Sequence, residues 1–245
     1  MKNLIGEIIG VDELSVDDHD AMFGLMTRHY ANLTRDAFEA DLNDKHWVIR
    51  LIDPTIGALY GFSTQSVMFS EVDGRPIRAL FSGDTIVAPA YWGRNPLAGL
   101  WGQLALSLID QDRDDELYWF LISKGYKTYR FLPVFFHEYY PHFGRGTPPS
   151  ARHVIDALAT TRFRDTYDKE AGLIRAGVDG CRLRQGVAQI TPRRLKDPHV
   201  RFFARRNPGH IQGDELCCLA PLTRENFKTT AYRVIEQARL SLTVS

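Results

Sequence analysis

The sequence predicts an α/β (α+β) fold, a mixed central sheet flanked by helices, with a C-terminal extension. Two long apolar segments joined by Asp73-Gly74 read as an antiparallel hairpin. The second of them runs through a turn into an apolar helix and then into a buried strand. Such short connections favour a right-handed crossover and a parallel pair. Antiparallel and parallel pairing together make the sheet mixed.

Each element has a local cause. Ser15 followed by Asp18 reads as an N-cap with an acid three residues on, and Ala21, Leu25, Met26 and Tyr30 then fall near helical spacing. A second short helix follows Thr34, with Phe38 and Leu42 on its apolar side. Trp47 to Ile52 is a strand, stopped by Asp53-Pro54. The hairpin strands are expected at Ile56–Phe69 and Ile77–Val87, the second one disturbed near Gly83. Pro96 suits a first helical turn, with Asn95 as its cap, and Leu100, Trp101, Leu104 and Leu108 form the apolar face. Leu117 to Ile122 is a buried strand, expected to lie parallel beside residues 84–87. A helix is expected over 126–140, bent or restarted at Pro133. The stretch Gly144–Ser150 is the best linker and divides 1–148 from an extension, 149–245, packed on it. Within the extension, helices are expected at 150–160, 200–207 and 223–240, and short strands within 174–188 and at 216–219.

Composition bounds the function. Thirty basic and thirty acidic residues leave no net charge, which speaks against a protein that coats nucleic acid. Three cysteines make no disulfide scaffold and suit a reducing compartment. No apolar run reaches the roughly 18 residues of a membrane span, and the first twenty residues do not resemble a signal peptide. A cytoplasmic protein is the expectation. The histidines are scattered, so no metal site is expected.

Thr85-Ile86-Val87-Ala88-Pro89, followed by Ala90-Tyr91-Trp92-Gly93-Arg94, resembles the GNAT superfamily of N-acyltransferases: a strand ending in V-x-P and a basic, glycine-bearing turn into a helix. The resemblance covers roughly residues 15–145. It implies that the turn and the helix N-terminus hold the pyrophosphate of coenzyme A through backbone N–H groups and the helix dipole, with Val87, Gly93, Arg94, Asn95 and Leu97 at the cofactor. The turn is degenerate, because Trp92, Asn95 and Leu97 stand where the family's pattern has Arg or Gln and two glycines. Side chains at 95 and 97 crowd a pyrophosphate, and Pro96 removes a donor.

The resemblance further implies that Asp84 acts as a base toward an attacking amine. Alternation puts Ser82 and Asp84 on one face, and a capping aspartate beside Gly83 is the alternative. Tyr139, near His137, fits the place of the acid that reprotonates the leaving thiolate. Packing is the alternative there, because eleven of the 28 aromatic residues fall within 118–143. Residues 175–206 carry nine basic against two acidic side chains, which suits an acidic carrier protein or simply a solvated face. The expected activity is acyl transfer from acyl-CoA or an acyl carrier protein, as co-substrate rather than tightly bound cofactor, to a small-molecule amine. The alternative is a non-catalytic binding or regulatory protein that has lost coenzyme A.

Overall fold

The computed structural model describes residues 4–242 apart from 92–95, 112–114, 179, 185 and 188. The chain opens with a strand that the sequence does not announce, β1 (Ile5–Gly10), whose six residues are all half-buried and which begins and ends beside glycine. The capping box at Ser15 forms: its Oγ accepts from the Asp18 N–H at 3.2 Å, and Asp18 Oδ2 accepts from the Ser15 N–H at 3.0 Å. Helix α1 (Val16–His29) follows and buries Met22, Leu25 and Met26. Ser15→Ala should therefore lower stability by about 1 kcal/mol, read as a shifted midpoint in urea with an unchanged slope. Next come β2 (Tyr30–Ala31) and α2 (Arg35–Asn43), the latter capped by Thr34 and buried through Phe38 and Leu42. Strand β3 (Trp47–Ile52) pairs antiparallel with β1, Ile9 opposite Val48.

Strands β4 (Leu59–Val72) and β5 (Arg75–Val87) form the expected hairpin. Its turn residues Asp73 and Gly74 both have positive φ, 51° and 76°, as a type I′ turn requires. Helix α3 (Pro96–Ile109) then crosses to β6 (Glu116–Ser123), which runs parallel to β5. The parallel neighbour is the expected one, but its register is not. The pairs run from Ile77–Glu116 to Ser82–Leu121, so residues 84–87 have no partner on β6.

The helix expected over 126–140 is replaced by two short ones, α4 (Tyr126–Tyr129) and α5 (Phe131–Phe135). Phe136 turns extended, and the chain then makes isolated bridges from Phe136 to Phe227 and from Tyr140 to Leu219. Helix α6 (Pro149–Phe163), β7 (Tyr167–Asp168), β8 (Leu173–Ile174), β9 (Arg182–Leu183), α7 (Pro198–Arg206), β10 (Glu215–Pro221) and α8 (Thr229–Leu242) complete the chain.

Among the described residues the main sheet has eight strands in the order β1-β3-β4-β5-β6-β10-β8-β7, and β2 with β9 forms a separate ribbon. Strand β10 lies inside the sheet, antiparallel to β6 with Cys218 opposite Leu121. No break in the sheet occurs at the expected 148/149 boundary: three strands of the sheet come from the segment read as an extension. The physical reason is β6, whose Trp119, Phe120 and Leu121 are all at most 4% exposed. A strand apolar on both faces is poorly placed at an edge.

On one face of the sheet, α3 and α8 cover Leu80, Trp119, Leu121 and Cys218. There the Trp101 and Trp119 rings lie 4.4 Å apart and Phe136 and Phe227 4.9 Å. A side-chain carbon at Gly99 would come within 2.5 Å of Ala238, which is how closely α3 and α8 approach. On the other face α6 covers Phe81, Phe120 and Leu219, and α1 and α2 cover Val48, Phe62 and Ile86. No helix among the described residues is long and apolar enough to cross a membrane.

Candidate active site

The site begins with one irregularity in β5. Between the pairs Gln65–Ser82 and Ser63–Thr85, β4 has only Thr64 where β5 has both Gly83 and Asp84. Two residues against one is a β-bulge, which bends its strand and raises its twist. The bend lies where the β5–β6 pairing stops, at Ser82, and the two strands diverge beyond it. Glycine is required at 83, because a Cβ there would sit 2.7 Å from Thr64 Oγ1 and 2.8 Å from Lys45 Cε.

The bulge also resets the alternation of side chains, which corrects the expectation that Ser82 and Asp84 share a face. Ser82 Oγ accepts from Trp119 Nε1 at 2.9 Å and donates to Gln65 Oε1 at 2.7 Å, on the α3 side. Gln65 Nε2 donates to Ser63 Oγ, which lies 2.7 Å from Thr85 Oγ1. Asp84 instead lines a cavity of about 470 Å³ between the diverging strand ends. Its walls are residues 83–87 of β5, Ile122 and Lys124 beyond the splay, Tyr126 at the start of α4, the α1–α2 region with Met26, Leu33 and Phe38, and Cys181 and Leu183 of the small ribbon.

The charged groups of this cavity come from distant parts of the chain. Lys124 Nζ lies 2.9 Å from Glu215 Oε1, one step beyond the Ser123–Leu216 rung, and 5.8 Å from the Tyr30 ring centre. Burial alone would lower the Lys124 pKa, but Glu215 and Tyr30 outweigh it and the ammonium is held protonated. Lys45, with a wholly buried side chain, sits 2.7 Å from Asp41 Oδ1 and donates to the Asp41 carbonyl at 2.7 Å. Burial lowers its pKa against the opposing pull of Asp41. Asp41 also takes Arg162, at 3.1 Å. Burial pushes the Cys181 thiol up.

Asp84 differs from these. It is half-buried, and among the described residues no hydrogen bond or ion pair reaches its carboxylate. Burial first, then the charge of Asp41, raises its pKa to about 6, with Lys124 and Lys45 pulling it back. A carboxylate with a pKa near neutrality in an apolar cleft is what general-base chemistry requires.

The other expected site residues fall elsewhere. Val87 ends β5 and lines the cavity. Gly93, Arg94 and Asn95 lie outside the described residues. Leu97 is 3% exposed and belongs to the α3 core, so its side chain packs rather than facing a ligand. Tyr139 is buried, its hydroxyl 3.3 Å from His199 Nδ1 and its ring against Tyr129 and His142. His137 is exposed, with its backbone N–H donating to the Asn226 carbonyl. Neither lines the cavity, because the helix that was to present them ends at Phe135. Tyr126 is the tyrosine of that segment that lines it.

The basic segment is not one free face. Arg175 bonds Asp168 and Asp214 at 2.7 Å each, and Arg184 and Arg206 donate to the carbonyls of Thr27 and Ala171. Arg193, Arg194, Arg201 and Arg205 are exposed. Lys124, Glu215, Asp41 and Cys181 belong to no motif, and the one local sign was a charge placed at the end of an apolar strand.

No family model matches the chain, and no curated protein matches it in sequence. Solved structures do resemble it. A conserved protein from Enterococcus faecalis described as a probable N-acyltransferase is 14% identical over 56% of this chain and 33% of its own, with a TM-score of 0.42. The N-myristoyltransferase of Saccharomyces cerevisiae, with bound myristoyl-CoA, is 13% identical over 49% of this chain and 31% of its own, with a TM-score of 0.39. A GNAT family N-acetyltransferase from Escherichia coli in complex with CoA is 16% identical over 54% of this chain and 69% of its own, with a TM-score of 0.38. The match thus spans about a third of the length of the first two proteins. Two helices, a strand, a hairpin and a crossover helix leading to a parallel strand give the chain the mixed sheet flanked by helices that the sequence resemblance led one to expect.

Proposed function

We propose that the protein is an acyltransferase that moves an acyl group from a thioester donor to an amine, with Asp84 as general base. The observation that carries this reading is the Asp84 carboxylate, unpaired among the described residues, standing where β5 leaves β6 and opening onto the cavity. Asp84 accepts a proton from the incoming ammonium, and the free amine nitrogen attacks the thioester carbonyl carbon. The C–S bond breaks as the tetrahedral intermediate collapses, giving a thiolate and, once the second nitrogen proton passes through solvent to the tyrosinate left by protonating that thiolate, a neutral amide. The Tyr126 hydroxyl, which lines the same cavity, is our choice for the proton that the thiolate takes. Beyond Ser82 the β6-facing edge of β5 has no ladder partner on β6, so N–H groups on that edge are available to polarise the thioester carbonyl.

For the donor we favour an acylated carrier protein over acyl-CoA. The turn lacks the family's glycine pair, and Leu97 is committed to the core. A carrier's arm makes less use of such a turn, since it brings one phosphodiester and no adenosine diphosphate. The exposed Arg193, Arg194, Arg201 and Arg205 suit an acidic carrier surface. The same missing glycines favour a second reading, a non-catalytic binding protein.

Thiol release from acyl-CoA and from the matching acylated carrier, in the presence of a panel of amines, tests these readings. Amine-dependent release, faster with the carrier and slowing as salt rises, is the expected result. Binding of either donor without any release would favour the non-catalytic reading. Equal rates with both donors would remove the preference for a carrier.

A further inference from the structure

The cavity also bears on which amine it takes, an inference that rests on reading it as an acyl-transfer site. Three carboxylates line it, and two already have cations: Asp41 holds Lys45 and Arg162, and Glu215 holds Lys124. Asp84 alone among the three has no partner within the described residues. Lys127 and His29 also line the cavity, and Asp84 is the one carboxylate of the three left, among the described residues, to take a ligand's cation. A second ammonium on the ligand would meet either apolar wall, at a desolvation cost, or the ammonium groups of Lys124 and Lys127.

The wall across from β5 is hydrocarbon and aromatic. Met26 and Leu33 come from α1 and the loop after it, and Phe38 from α2. Phe163 adds a half-buried ring, its centre 6.0 Å from that of Phe81 on β5. Such a wall rewards an aromatic or branched body, because one ring buries a large apolar area and prefers tilted ring neighbours.

We infer that the acceptor is a primary amine on an uncharged apolar or aromatic body, its ammonium held by Asp84 and its body packed on Leu33 and Phe163. Diamines, polyamines and free amino acids are then poor acceptors, the first two for their extra cation and the last for its carboxylate.

Calorimetry near neutral pH, with and without CoA, tests this without relying on turnover. The probes are 2-phenylethylamine, its uncharged analogue 2-phenylethanol, putrescine and phenylalanine. We expect 2-phenylethylamine to bind at least about tenfold more tightly than the other three, a difference of about 1.4 kcal/mol. Asp84→Asn should abolish its advantage over 2-phenylethanol, and Phe163→Leu should weaken both ring compounds alike. Putrescine or phenylalanine binding as tightly as 2-phenylethylamine would overturn the inference. So would amine binding that is indifferent to Asp84→Asn, or no binding of 2-phenylethylamine at millimolar concentration. The two proposals fail separately. Binding of 2-phenylethylamine with no thiol release from any donor counts against acyl transfer alone. Thiol release driven by putrescine but not by 2-phenylethylamine counts against this acceptor class alone.

Discussion

Asp84→Asn is expected to lower kcat/KM by about 10²- to 10⁴-fold, the usual reach of a general base, while making the protein more stable. The two effects share one cause. Burial and the neighbouring Asp41 raise the folded-state pKa of Asp84 to about 6, above the ordinary 3.8. Between these values the native state binds more protons than the unfolded chain, so stability falls as pH rises through that window. Above about pH 6 the destabilisation from the charged carboxylate is fully present. Asparagine keeps the shape and removes the charge, with a gain on the order of 2 kcal/mol at neutral pH. Thermal melts of the two proteins should coincide near pH 4 and separate toward pH 7, with the variant higher. The proposed activity of the native protein should rise through about pH 6 as the carboxylate forms. A variant with native rates, or one that melts below the native protein at pH 7, would falsify the role given to this residue.

Truncation after residue 148 is expected to abolish folding altogether. The fragment would keep the segment that carries the family resemblance, yet lose β10 from the inside of the sheet and α8 from the back of α3. Leu158, Phe203, Leu216, Leu219, Phe227 and Ile235, each at most 5% exposed, would go with it. At about 1.5–3 kcal/mol for each buried apolar side chain, these six match the whole stability of an ordinary domain, about 5–15 kcal/mol. The fragment would also expose β6 as an apolar edge, an invitation to aggregate. Circular dichroism and a thermal scan decide the matter. A soluble fragment with a cooperative transition would mean that 1–148 is a self-sufficient unit.

The same contrast separates what was legible in the sequence from what was not. Caps, turns and periodicity are local, and they were readable. The Ser15–Asp18 capping box, the Asp73-Gly74 turn, the strand Trp47–Ile52 and the helix beginning at Pro96 all form where local chemistry places them. Asp84 was a candidate through the family resemblance of the strand that carries it. Strand β1 was not readable, since glycines at 6 and 10 blur its alternation, and pairing with β3 together with the packing of Ile8 and Ile9 on the cores holds it. The helix expected to carry His137 and Tyr139 also failed. The rings of Phe136 and Phe227 pack together, and the bridge from Tyr140 to Leu219 rewards an extended chain there.

By itself the sequence determined the elements from the Ser15 cap through the strand ending at Ile122, because caps, turns and periodicity depend on neighbours a few residues apart, and the short connection after β5 fixed the parallel sense of β6. Only the tertiary structure decided that β10 completes the sheet, that a bulge turns Asp84 away from Ser82, and that Lys124 finds Glu215. It alone leaves Asp84 without a partner among the described residues. An unpaired charge is a property of everything packed around it, and the groups that surround this one are brought together only when distant segments of the chain share one cavity.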